Sequence, residues 1–505
     1  MTLLDRLDHD RKFALGALLI VTLFGITVRL SFLTAPIADR QSWNQCSTAT
    51  VIRNFDKHGF SLKPEWDVLD PGPARPNIEA EEAPIYTGVS AQLYRAFGPS
   101  HAWPRLLSIL AMVVGGLYLF RLTARMYNAS AAIFAVHFWH MTPYAWFFGR
   151  TIMSDPWMLA CTIAAADYFH KFLEDDRGSD LAKAAVATSL AGLFKVFALH
   201  IGVLFALAIL LRRGVAVFKD WRLYAFAVVA LAPPLGWIVY ASRIGTLGNV
   251  TEGVGASVVG ASHLWTQGGM LGDPAFWMRL QSRVLDRAMT PIVSALAFAV
   301  LVFPTARRKS AYAWMWLASV MVYVVVMGGG NYEHNYYQLP FVAPMALLGG
   351  MGLERVTRRL ESRFHPENVL SVVLIAFLAV SYLYVRNEYR MDLSSVYAGK
   401  KAAQYTEPGD LLVVLDPGST RKNQVLYHAD RRGWHERRLT PEKIEQYREW
   451  GADDVVICLS PDQKERGSQA LQYLIANYTP LLSTVAYGDG RIHQIYIFSL
   501  KPTHP

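Results

Sequence analysis

Ile37-Ala38-Asp39-Arg40-Gln41-Ser42-Trp43 follows directly on the apolar run Phe13–Thr34. The run is long enough to cross a bilayer as a helix, which takes about 20 residues. Arg6, Arg11 and Lys12 precede it, and no small-x-small cleavage site follows. It therefore reads as an uncleaved first transmembrane helix with a cytoplasmic N-terminus, not as a signal peptide. An Asp-Arg pair where that helix leaves the hydrocarbon is either an ordinary interfacial pair or part of a functional site.

Composition agrees with a membrane protein. Of 505 residues, 52% are hydrophobic and only 18% charged, against about a quarter charged in soluble domains. Fourteen Trp and 24 Tyr suit aromatic belts at the membrane surfaces. The formal net charge of +9 sits in short clusters between apolar runs. That is the positive-inside pattern rather than a nucleic-acid-binding stripe, so no nucleic-acid partner is expected. Cys46, Cys161 and Cys458 are far apart and imply neither a disulfide framework nor a cysteine zinc site.

Further apolar runs lie near Trp103–Phe120, Ala131–Phe148, Met153–Phe169, Ala184–Phe197, Ala198–Leu211, Leu223–Tyr240, Pro291–Phe303, Tyr312–Met327, Leu339–Gly352 and Val369–Val385. With the first run they give about eleven spans. The pair flanking Lys195 and His200 is one long helix or two short ones. With Met1 inside, the inside loops collect most of the Lys and Arg. The outside stretch 328–338 has none, and an odd span number places 386–505 outside. Two long outside loops remain, 35–102 and 242–286, and Glu82–Phe97 has the pattern of an amphipathic helix. In the tail, Asp410–Asp416, Asp454–Leu459 and Arg491–Leu500 read as strands, and Pro441–Trp450 and Gln469–Asn477 as helices. A small α/β domain with a largely parallel sheet follows. The expected fold is a polytopic α-helical membrane protein, with a membrane domain over 1–385, including the loop 35–102, and an extracytoplasmic α/β domain over 386–505.

The outside-facing ends carry the candidate chemistry: Asp39-Arg40; Glu81-Glu82-Ala83-Pro84-Ile85-Tyr86; Arg150 with Asp155; Lys195 and His200; and His334 with Tyr336-Tyr337-Gln338. Each has a plainer reading. Asp155 suits a helix N-terminus, Lys195 can snorkel, and the tyrosines can be belt residues. As a set they suit a lipid phosphate. Cations neutralise it, a carboxylate deprotonates an attacking hydroxyl, and aromatic rings hold a sugar or isoprene units.

Over Phe13 to about Val385 the chain resembles the GT-C membrane glycosyltransferases, which include protein O-mannosyltransferases and the lipid A aminoarabinose transferase. Asp39 matches the acidic residue after the first helix. Glu82-Ala83-Pro84-Ile85-Tyr86 matches a Glu-x-Pro motif in the first outside loop. Arg150, Met153 and Asp155 match a third motif, and Tyr336-Tyr337-Gln338-Leu339-Pro340 after His334 resembles a run in bacterial members. Ala-Pro-Ile replaces the Lys-Pro-Pro of aminoarabinose transferases, so sugar and acceptor do not carry over. The resemblance implies a polyprenyl-phosphate sugar donor and an inverting transfer outside the cytoplasm, in a bacterial inner membrane. Asp39 would be the base, assisted by Asp155 and Glu82. Arg40, Arg150, Lys195, His334, Tyr336, Tyr337 and Gln338 would bind donor. Glu82 with His263 would hold a divalent metal, although two ligands do not define such a site. The rival readings are a flippase for a lipid-linked sugar, a structural or assembly protein whose tail binds a partner and which would not need Asp39, Glu82 and Asp155, and, within the enzyme class, an oligosaccharide ligase with a diphosphate-linked donor. No internal repeat supports the flippase.

Overall fold

The computed structural model describes residues 2–70, 72–78, 80–244, 265–416, 423–488 and 490–501. The chain forms two compact units. Met1–Leu33, Pro104–Tyr240 and Ala261–Asn387 make most of the first; Thr34–Trp103 and Glu388–Pro505 make most of the second.

The first unit is helical. Asp10 caps the helix Arg11–Arg29, its carboxylate accepting from the backbone N–H of Lys12 and Phe13. Satisfying these otherwise orphaned donors fixes where the helix begins. Every run expected to span contains a helix. Among the described residues five helices are long and apolar enough to cross a membrane: Arg11–Arg29, Ala102–Met126, Val196–Lys219, Trp221–Ile244 and Pro366–Val385. A sixth is possible if the bent pair Pro274–Ala288 and Pro291–Val302 counts as one. The other runs are broken, short or charged. Ala131–Phe148 divides into Ala129–Met141 and Pro143–Phe148, with extended Thr142 between them. Pro143 lacks an N–H and pushes the residue before it out of the helical region. These inner helices are covered by other helices, so an unbroken apolar surface of spanning length is not required of them. Packing is close: a Cβ on Gly350 would overlap the Ala131 carbonyl oxygen of Ala129–Met141, so only glycine lets Val342–Leu360 approach that helix.

Asp155–Asp175 and Gly178–Phe194 form an antiparallel hairpin. Asp176 turns it in the left-handed region at φ 55°, a conformation Asp tolerates better than most residues. Antiparallel helices bring the start of the first beside the end of the second, here Asp155 beside Lys195.

The second unit is built on a five-stranded sheet: β1 Leu411–Leu415, β2 Arg432–Glu436, β3 Asp454–Leu459, β4 Thr479–Gly488 and β5 Arg491–Ser499, in the order β2-β1-β3-β5-β4. β1 runs parallel to β2 and β3, while β5 is antiparallel to β3 and β4. The sheet is therefore mixed, not largely parallel. β1 and β3 are central, with apolar side chains buried on both faces, the condition that makes a continuous apolar run. The first loop was expected with the membrane helices but groups with this sheet. Val68 bridges to Gly433 of β2, the Gly433 N–H donates to the Asp67 carbonyl at 3.0 Å, and the Leu69 N–H donates to the Gly433 carbonyl at 2.8 Å. The Trp434 indole donates to the Asp70 carbonyl. An edge strand offers unpaired backbone groups, and the loop satisfies them. Gly433 is required on its inner side as well, because a Cβ there would overlap the Leu412 carbonyl oxygen of β1. Arg53, from the helix Ser42–His58, ties the same segment down. Its guanidinium pairs with Asp67 and donates to the Tyr427 carbonyl.

Candidate functional site

The candidates fall in two sets, one in each unit. In the first unit Asp155 begins its helix, followed by Pro156, at the end where partial positive charge favours a carboxylate. Lys195 caps the C-terminus of Gly178–Phe194 in an extended conformation, φ −156°, where the opposite dipole end favours a cation. The chain then makes a short 3-10 turn, Val196–His200, before Ile201–Arg213. The two-helix reading of this stretch is therefore the right one. Lys195 Nζ lies 3.6 Å from Asp155 Oδ2, and both side chains are buried. Arg150, fully buried, follows the break after Phe148, with its guanidinium 5.6 Å from the centre of the Phe147 ring.

Aromatic rings crowd the same lysine. Its ammonium lies 5.6 Å from the Tyr336 ring centre and 5.7 Å from that of Phe197, within cation–π range. His334 stacks on Tyr336 at 5.3 Å, and Tyr336 meets Tyr337 at 5.1 Å. Tyr337 in turn meets Phe197 at 5.1 Å. Lys195, Tyr336, Tyr337 and His334 are thus one group. Gln338 is differently placed. It is fully buried, and its Nε2 donates to the Asn331 carbonyl and side-chain oxygens at 3.0 and 3.1 Å. Its visible work is holding the turn.

In the second unit the segment Ile37–Arg40 is held by its backbone. The Ile37 carbonyl accepts from His428 Nε2 at 3.0 Å. The Ala38 carbonyl accepts from the Asp392 N–H, and the Arg40 N–H donates to the Glu388 carbonyl. Asp39 is buried, and its Oδ1 accepts from Gln45 Nε2 at 2.7 Å. Gln45 stands one turn into the helix Ser42–His58, so a rigid element orients the carboxylate. Arg40 points its exposed side chain towards Glu388, 3.8 Å away. Glu82 is partly buried in the turn before Ile85–Phe97, the helix expected from Glu82 onward. His263 lies outside the described residues. Among the described residues no three His, Cys, Asp or Glu side chains group as a metal would require.

Sequence reasoning missed two supports. Gln45 is a neutral amide that nothing marks as special. Arg29 has a signal, being a charge in the last turn of an apolar helix. Fully buried, it donates to the carbonyls of Gly25, His140 and Ala145 at 2.7–2.8 Å. These include carbonyls on both sides of the break at Thr142.

The arrangement of the chain is that of the GT-C membrane glycosyltransferases. It is 13% identical to ArnT from Cupriavidus metallidurans bound to undecaprenyl phosphate, with a TM-score of 0.67 over 96% of this chain and 98% of that one. It is 11% identical to the archaeal oligosaccharyltransferase AglB from Archaeoglobus fulgidus in complex with an inhibitory peptide and a dolichol-phosphate (TM-score 0.60; 95% of this chain, 74% of that). It is 14% identical to a mycobacterial arabinofuranosyltransferase, AftD (TM-score 0.56; 96% and 41%). At these identities the likeness is one of fold. In sequence, residues 82–237 match the family described as dolichyl-phosphate-mannose-protein mannosyltransferase. No curated protein matches the chain in sequence. The protein is an integral membrane protein of this fold class.

Two outcomes follow from the geometry. Removing one member of a buried ion pair strands the other, at a cost of about 3–5 kcal/mol, while an apolar replacement of both is often near neutral. Lys195→Met should therefore lower the melting temperature of detergent-solubilised protein, and Asp155→Leu with Lys195→Met should recover part of the loss. A double variant no more stable than Lys195→Met would show that the pair is not coupled. The second outcome concerns His428. Burial pushes its pKa down to about 4, below the ordinary value near 6.5. The unfolded chain then binds a proton between these values that the folded chain does not. Stability is full above about 6.5 and is lost as pH falls towards about 4. Thermal unfolding followed from pH 7 to pH 4.5 should show this decline, and His428→Gln should flatten it.

Proposed function

We propose that the chain is an inverting glycosyltransferase. It moves a sugar from a polyprenyl-phosphate donor to a hydroxyl-bearing acceptor on the extracytoplasmic face of a bacterial inner membrane. The observation that carries the reading is the Lys195 ammonium beside Tyr336, in a chain whose fold matches ArnT along almost its whole length. That relative is bound to undecaprenyl phosphate. An ammonium held by a buried carboxylate and faced by aromatic rings suits the phosphate and first isoprene units of such a donor. Arg150 is a second cation for the same phosphate.

Asp39 is the proposed general base. It takes the proton of the acceptor hydroxyl as that oxygen attacks the anomeric carbon. The sugar–phosphate C–O bond breaks on the opposite face, configuration inverts, and the polyprenyl phosphate leaves with the bonding electrons. Gln45 keeps Asp39 in one rotamer, so little reorganisation is needed. Glu82 and Asp155 assist, Asp155 by placing Lys195. An oligosaccharide ligase with a diphosphate-linked donor is the second reading; the fold match to an archaeal oligosaccharyltransferase, of which the chain covers 74%, supports the ligase part of it. Glu82, with His263, would hold a divalent metal if one binds.

The test is kinetic. Asn preserves the shape of Asp39 and cannot act as base, and general base catalysis contributes roughly 10²–10⁴-fold. Asp39→Asn should lower turnover by about that factor with donor binding nearly intact, whereas Lys195→Ala should weaken donor binding. Native turnover in a folded, donor-binding Asp39→Asn protein contradicts the mechanism. For the metal, a strong chelator should abolish turnover and a divalent cation restore it; full activity after chelation removes the metal from the reading.

A further inference from the structure

The helix hairpin of the first unit has a second feature, away from Lys195. A groove of about 450 Å³ opens between Ala102–Met126 and the two hairpin helices, lined by Tyr118, Trp157, Cys161, Tyr168, Val186 and Leu190 among others. Small side chains hollow it out: Ala160 and Ala164 lie on one hairpin helix, and Ala182 and Ala187 on the other. Its outer lip is apolar and exposed, with Val186 52% and Leu190 37% accessible. Trp157 and Tyr168 are eleven residues apart on one helix, so the groove runs for roughly 16 Å at 1.5 Å per residue. That is about half of a hydrocarbon core of roughly 30 Å, the depth of one leaflet.

The end towards the hairpin turn is cationic and aromatic. The Tyr118 and Tyr168 hydroxyls are 3.2 Å apart and hydrogen-bonded. The Arg121 guanidinium lies 5.1 and 5.3 Å from the two ring centres and keeps one nitrogen 3.1 Å from Asp167. The Lys183 ammonium lies 5.5 Å from the Tyr168 ring centre, exposed, with no carboxylate paired to it among the described residues. We propose that this groove binds one anionic phospholipid, its phosphate at Lys183, Arg121 and the tyrosine hydroxyls, and one acyl chain along the apolar channel. Basic pockets between membrane helices recognise anionic headgroups in this way. Of the two hydrogen-bonded tyrosine hydroxyls, one keeps a proton to donate to the phosphate beside the lysine's own N–H donors. A zwitterionic lipid would bring its own cation to a mouth that already holds two.

Native mass spectrometry of the purified full-length protein tests this, with phosphatidylglycerol and phosphatidylcholine titrated separately. Phosphatidylglycerol should be retained at one site and more tightly than phosphatidylcholine. Lys183→Ala should weaken it about fivefold, the effect of one basic residue at a lipid surface. Val186→Trp, at an exposed position, should block the groove without changing charge and lower retention of both lipids at this site. Equal retention of the two lipids, or phosphatidylglycerol retention unchanged in both variants, overturns the proposal. Retention of inorganic phosphate at Lys183 with no retention of phosphatidylglycerol would show an anion site without a lipid and overturn it too. A lipid-independent dimer lost in Val186→Trp would give the groove to a second copy of the chain instead.

Discussion

A buried ammonium 3.6 Å from a buried carboxylate is the constraint on which the first unit turns. Neither Lys195 nor Asp155 could be placed in that interior alone, because an isolated charge there carries a desolvation penalty of several kcal/mol. The antiparallel hairpin answers the cost geometrically. It sets the positive end of one helix dipole under the carboxylate and the negative end of the next under the ammonium. It also explains why the helix stops at Phe194: the lysine's extended backbone breaks the apolar run where the partner waits. The same break is what lets the ammonium face Tyr336.

The interior of this unit is ordered by broken helices, and polar groups repair the breaks. Arg29 occupies carbonyls around the Thr142–Pro143 interruption. Ser108 donates to the Thr151 carbonyl beyond Arg150, and Gln338 does the same for the turn at Asn331. Irregular backbone within membrane-embedded protein is tolerated where such partners exist. The segments carrying Arg150, Lys195 and Tyr336 are therefore irregular and yet fixed, which is what a binding site requires of its scaffold.

Much of this could be read from the sequence, for identifiable reasons. Charges inside apolar runs are costly, so Asp155 and Lys195 announced themselves. The central strands β1 and β3 were visible because burial on both faces leaves a continuous apolar run. β2, with its sequence Arg-Gly-Trp-His-Glu, and the half-exposed edge strand β4 gave no such run. The docking of the first loop on β2 was invisible for a deeper reason. It rests on backbone hydrogen bonds between Asp67, Leu69 and Gly433, which any side-chain pattern can make. Length and apolarity measure contact with lipid, whereas inner helices contact one another, which is why only some of the expected runs form long, wholly apolar helices. Gln45 escaped notice because its role lies in its partner, Asp39.

The proposed reaction is transfer of a sugar carried by a polyprenyl phosphate. The direct measurement is donor breakdown by the purified protein, supplied in turn with labelled polyprenyl-phosphate mannose, aminoarabinose and related sugars together with a membrane extract as acceptor source. The account predicts release of free polyprenyl phosphate, with label transferred in inverted configuration, for at least one donor. Intact donors throughout, with breakdown only of diphosphate-linked sugars, would contradict it.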